Sequence, residues 1–70
     1  MPYTFRLLIL LRREMIQLKR LEDLESQIQV THPAEKPPIT HSIEMIMEEI
    51  GESNRLIRNL KASYLLGLAA

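Results

Sequence analysis

The chain has no cysteine and no tryptophan, and its aromatic residues are only Tyr3, Phe5 and Tyr64. Without cysteine there is no disulfide and no thiolate metal site, and the composition fits a reducing, cytoplasmic setting. Seventy residues hold at most one small domain. A chain this short buries a modest fraction of its surface and is marginal alone, so a disulfide, a metal or a partner usually supports it. With disulfides excluded, a partner is the expected support. Glycine is also scarce, with two residues and no glycine-rich phosphate loop. Net charge is zero, nine basic residues balancing nine acidic ones, whereas a non-specific nucleic-acid binder is basic overall. The aliphatic run Leu7–Leu11 is five residues long. About 20 are needed to span a bilayer and about 7–15 to form a signal-peptide core, so no transmembrane segment is expected.

What the sequence does have is aliphatic periodicity. Leu7, Leu11, Met15, Leu18, Leu21, Leu24 and Ile28 recur about every 3.5 residues, the spacing of an amphipathic helix near a coiled-coil seam. Strong helix formers surround them. Leu8, Leu10 and Ile16 widen this face beyond what one neighbour covers, while Glu14 and Glu25 interrupt it. The second half has cleaner heptads, with Ile43, Ile50, Ile57 and Tyr64 at one seam position and Ile46, Ser53, Leu60 and Gly67 at the other. Gly51 falls inside this second helix, where glycine costs about 1 kcal/mol relative to alanine. It marks either a close helix approach or a tolerated surface position.

Three of the four prolines, Pro33, Pro37 and Pro38, separate the two halves. Proline lacks an N–H donor and pushes the preceding residue out of the helical region. Residues 31–40 therefore read as an extended connector, with helix 1 near 4–30 and helix 2 near 41–66. Thr40 or Ser42 is the expected cap of the second helix. The fold expected is all-α: a two-helix antiparallel hairpin, completed by self-association as a four-helix bundle or coiled-coil assembly.

Charge is segregated along the chain. Residues 1–21 carry Arg6, Arg12, Arg13, Lys19 and Arg20 against Glu14, and residues 55–70 carry Arg55, Arg58 and Lys61. Residues 22–54 hold the other eight acids against the single base Lys36. Folded at the prolines, the hairpin becomes a rod that is basic at the end of its termini and acidic at its loop. Two such rods are complementary when packed head to tail, and a pattern this segregated selects orientation. The expected partner is the chain itself, or another helical protein. The interface residues are Leu7, Leu11, Met15, Leu18, Leu21, Leu24, Ile28, Ile43, Ile46, Ile50, Ile57, Leu60 and Tyr64.

No reactive constellation stands out. His32 and His41 flank the prolines, a spacing that suits solvated loop or cap residues better than metal ligands. Glu44, Glu48 and Glu52 share one helix face, but a hairpin offers no shaped pocket to tune a catalytic carboxylate. The expectation is a protein without enzymatic activity, cofactor or metal. A nucleic-acid or acidic-partner contact through Arg12, Arg13, Lys19, Arg20, Arg55, Arg58 and Lys61 ranks second to protein association. These stretches carry no aromatic residues for base stacking, and the acidic end repels phosphate. The same arginines beside Leu7–Leu11 also suit an anionic membrane surface.

In architecture alone, a pair of helices with a proline-marked turn over the whole chain is similar to the small co-chaperones of type III secretion needle subunits. That resemblance implies a helical adaptor or chaperone subunit working inside a larger complex. No signature residue supports it, and fold alone does not give function.

Overall fold

A computed structural model describes residues 2–69. Helix α1 spans Tyr3–Gln29, a single 3₁₀ turn covers Pro33–Glu35, and helix α2 spans Lys36–Ala69. The two helices pack against each other as an antiparallel hairpin, a rod of 57 × 15 × 15 Å. The proline segment closes the chain on itself rather than letting the helices part.

The break is much shorter than the ten-residue connector expected from the sequence. Pro37 and Pro38 lie in the first turn of α2, where the missing N–H groups would have had no intrahelical acceptor. Prolines there start a helix instead of preventing one. Helix α2 consequently begins at Lys36 rather than near 41, and it runs to Ala69 rather than ending near 66. Neither Thr40 nor Ser42 is its cap. The Ser42 hydroxyl instead donates back to the Pro38 carbonyl at 3.1 Å, one turn earlier in the helix.

The turn is built from short-range bonds. The Val30 N–H donates to the Gln27 carbonyl at 3.2 Å, and the Thr31 hydroxyl donates to the same carbonyl at 2.6 Å, which satisfies the last turn of α1. His32 then caps the 3₁₀ turn, its Nδ1 accepting the Ala34 N–H at 3.1 Å. Its carbonyl accepts the Glu35 N–H at 2.8 Å.

Helix α1 presents a strict 4-3-4-3 seam to α2 through Tyr3, Leu7, Leu10, Glu14, Gln17, Leu21, Leu24 and Ile28. All are buried or half-buried. The facing seam of α2 is Ile39, Ile43, Ile46, Ile50, Ser53, Ile57 and Leu60, with Leu56 half-buried beside it. The α2 heptads agree with the sequence reading from Ile43 to Leu60 and extend one step earlier, to Ile39, whereas Tyr64 and Gly67, expected to continue them, are exposed at and beyond the start of α1. The α1 seam does not agree. Leu11, Met15 and Leu18 are exposed, at 37%, 70% and 46%, and Leu10, Glu14 and Gln17 take their place inside. A helix with leucine or isoleucine on nearly every face admits several seams at the same period. The pairing chosen is the one that brings Gln17 opposite Ser53.

That pair forms a buried polar layer in the middle of the rod. The Ser53 hydroxyl, fully buried, donates to Gln17 Oε1 at 2.8 Å. One seam step away, Glu14 Oε2 is shut off from solvent with no hydrogen-bond partner among the described residues. At the open end the rings of Tyr3 and Tyr64 stack, with centroids 4.0 Å apart and planes 8° from parallel. Residues 65–69 of α2 project beyond this stack.

Candidate interaction surfaces

The hairpin covers very little of its own apolar surface. Ile46 and Ile57 are the only buried hydrophobic side chains among the described residues, whereas Leu8, Ile9, Ile16 and the three C-terminal leucines Leu65, Leu66 and Leu68 are all about half exposed or more. Burial of one large aliphatic side chain stabilises by about 1.5–3 kcal/mol, so this much open surface is a large unused driving force. Single exposed leucines are ordinary on protein surfaces; contiguous apolar stripes mark contact sites.

Helix periodicity sorts these side chains onto two flanks. Beside the α1 seam runs a stripe of Leu8, Leu11, Met15 and Leu18, spaced 3-4-3. On the opposite flank of α1, open troughs follow the line where the helices meet. The largest, about 470 Å³, is floored by Leu10, Leu56 and Leu60 and edged by Arg6, Ile9, Asn59 and Ser63. The next continues through Arg12, Arg13, Ile16 and Gln17 to Arg20 and Glu49, and a third reaches Asp23, Ser42 and Met45. None of these troughs touches Leu8, Leu11, Met15 or Leu18. Helix periodicity puts the leucine stripe on the other side of the hairpin, together with Met47, Gly51 and Asn54 from α2.

The thirteen residues expected at a partner interface divide accordingly. Leu7, Leu21, Leu24, Ile28, Ile43, Ile46, Ile50, Ile57 and Leu60 line the seam between the two helices. Tyr64 is 43% exposed and stacks on Tyr3. Leu11, Met15 and Leu18 remain open to solvent, as does Leu8, which the sequence reading treated only as widening the seam. The signal that could have separated them was the polar pair Gln17 and Ser53: a strict heptad through Ser53 in α2 needs a polar companion in α1.

The basic residues do not form one patch. Arg12, Arg13, Lys19 and Arg20 lie on the outward side of α1, all exposed. Arg58 and Lys61 fall at the positions of α2 that continue Gly51 and Asn54, on the leucine-stripe side. Arg55 is held by Glu52 in a two-oxygen bond at 2.6 and 2.7 Å. Such an exposed i,i+3 pair adds little stability. His32 and His41 are exposed on separate turns, and no group of three or more potential metal ligands converges among the described residues. Gly51 has open space where a Cβ would be, so no contact within the hairpin requires glycine there. Among the described residues no helix is long and apolar enough to cross a membrane. Comparison with protein-family models, with curated proteins and with solved structures finds no match for this chain.

Proposed function

We propose that the chain is a non-catalytic helical interaction module that pairs with a second copy of itself, head to tail, as a four-helix bundle. The observation that carries this is the exposed stripe Leu8, Leu11, Met15 and Leu18 alongside a core of only two buried isoleucines. A helix that is apolar at its seam and on one adjoining face is patterned for two neighbours, and the hairpin supplies one. A second hairpin laid antiparallel across the stripe supplies the other: Met15 and Leu18, near the middle of the rod, meet their counterparts, and Leu11 comes level with the exposed Met47 on the same flank of the other copy's loop half.

Charge favours the antiparallel arrangement. The half of the rod made by residues 1–21 and 55–70 has a net charge of +7, and residues 22–54 have a net charge of −7. Head-to-tail packing sets unlike halves side by side, while parallel packing superimposes like charges, which costs affinity and suppresses the wrong pairing. Gly51 lies beside Asn54 on this flank, and the open space at its Cα leaves room for a close helix approach.

The test is the solution mass by light scattering at low and high salt. A discrete dimer of hairpins is expected, weakening as salt rises. Leu11→Asp/Leu18→Asp should yield a helical monomer, a loss of association on the order of a hundredfold or more for two charges placed at an interface centre. A wild-type chain that stays monomeric and helical at all accessible concentrations rules the pairing out.

A further inference from the structure

The side of α1 facing away from both α2 and the leucine stripe carries a second pattern. Phe5, Ile9 and Ile16 form an apolar spine there, exposed at 53%, 48% and 54%. Arg6, Arg12, Arg13, Lys19 and Arg20 flank that spine, all exposed; the acids nearest to it are Glu49 of α2, which lines the trough with Arg12, Arg13 and Arg20, and Asp23, two turns beyond Ile16 on the same face. Ile9 and Ile16 thus each lie between cations one turn away on either side. Neither the hairpin seam nor the proposed pairing uses it, since Ile9 and Ile16 stand about 100° round the helix from Leu8 and Met15.

We infer that this strip is a docking surface for an anionic lipid bilayer. A cationic strip alone would serve any polyanion, but a spine of phenylalanine and isoleucine has nothing to contact on a phosphate backbone. At a bilayer the two parts work together. The apolar spine enters the boundary between headgroups and acyl chains, and the arginines reach sideways to the lipid phosphates with their stems along the apolar surface. The overhang of α2 beyond the tyrosine stack adds Leu65, Leu66 and Leu68 at the same end of the rod. The acidic loop end is repelled by an anionic surface, so the rod lies with its basic half on the bilayer and its loop raised.

The complementarity is therefore one of charge and apolarity in the same few turns: this strip has cations along both edges, whereas the leucine stripe has Arg12 and Lys19 of α1 along one edge only, with Arg58 and Lys61 on the facing helix. The surface is independent of self-association: a monomer presents it as fully as a dimer.

The experiment is co-sedimentation of the full chain with vesicles of phosphatidylcholine, with and without phosphatidylserine, at two salt concentrations. Binding that needs phosphatidylserine and falls with salt is expected. Arg12→Gln/Arg13→Gln should weaken it on the order of tenfold or more. Ile9→Ser/Ile16→Ser, which keeps every charge, should weaken it by a similar factor, and circular dichroism should show the same helix content for both variants because all four side chains are exposed. Leu11→Ser/Leu18→Ser, which weakens pairing without changing the charge, should still sediment with the vesicles. No binding to phosphatidylserine vesicles overturns the inference. So does binding that is unchanged by Ile9→Ser/Ile16→Ser, or binding to single-stranded RNA with none to vesicles, because either result would make the strip a simple polyanion site.

Discussion

The two halves of the rod share one aliphatic seam, broken in the terminal half by Glu14, and have opposite exteriors. In the loop half, Ile39, Ile43, Ile46 and Ile50 of α2 face Leu21, Leu24 and Ile28 of α1, and the outward positions are mostly polar, with glutamate the commonest and Val30, Met45 and Met47 as the large apolar exceptions. In the terminal half, Ile57 and Leu60 face Glu14, Leu10 and Leu7 in the same register, but the outward positions hold arginine and lysine interleaved with exposed leucine, isoleucine and phenylalanine. One helical geometry therefore supports two surfaces. The loop half exposes mainly polar and acidic side chains; the terminal half exposes large apolar and basic ones together. Apolar exposure and positive charge coincide, which is why both proposed contacts draw on the same end of the molecule.

The interior half of this comparison can be broken with matched cavities. Ile46 and Ile57 are buried equally, at 4% and 5% exposure, one in each half. Ile46→Ala and Ile57→Ala should each lower the free energy of urea unfolding by about 2–5 kcal/mol, and by similar amounts at a protein concentration low enough to keep the chain monomeric. A strong asymmetry would mean the interiors differ as much as the surfaces do.

The boundary between the halves is the polar layer, and its effect should be smaller. Gln17→Ala leaves the buried Ser53 hydroxyl without its acceptor, at a cost of about 1–3 kcal/mol by the same urea measurement. Gln17→Leu/Ser53→Ala removes both partners and should recover most of that loss. Because Gln17 and Ser53 meet in only one alignment, the double variant should also tolerate slipped pairings, seen as broadened amide spectra.

The smallest expected effect sharpens the exterior half. Gly51→Ala has open space for the new methyl group, so helix propensity alone should stabilise the monomer by about 1 kcal/mol. If a second copy approaches closely on this flank, the same change should weaken the dimer in light scattering while raising the monomer's melting temperature.

Much of the architecture was legible in the sequence, for definite reasons. Helix α2 shows its seam plainly because isoleucine recurs at Ile43, Ile46, Ile50 and Ile57 among polar neighbours. Helix α1 hides its seam because Leu7, Leu8, Ile9, Leu10 and Leu11 cover every direction, and because two true seam positions are Glu14 and Gln17. Hydrophobicity alone prefers Leu11, Met15 and Leu18 to them. The helix boundary at Lys36 was obscured by a different cause: a proline pair reads as a break, and only the bonding of the turn tells a broken helix from a starting one. The stripe and the strip of α1 became separable once the true seam fixed the helix's rotation about its axis.

The tyrosine stack at the open end has an optical consequence. With no tryptophan in the chain and both tyrosines in one stacked pair, near-ultraviolet circular dichroism is a spectroscopic window on a single place. It reports whether the ends of the two helices are together, even while far-ultraviolet signals from the helices themselves stay constant. Fraying at the termini, docking at that end and complete unfolding can thus be told apart in an unlabelled sample, with phenylalanine contributing at shorter wavelength from Phe5 alone.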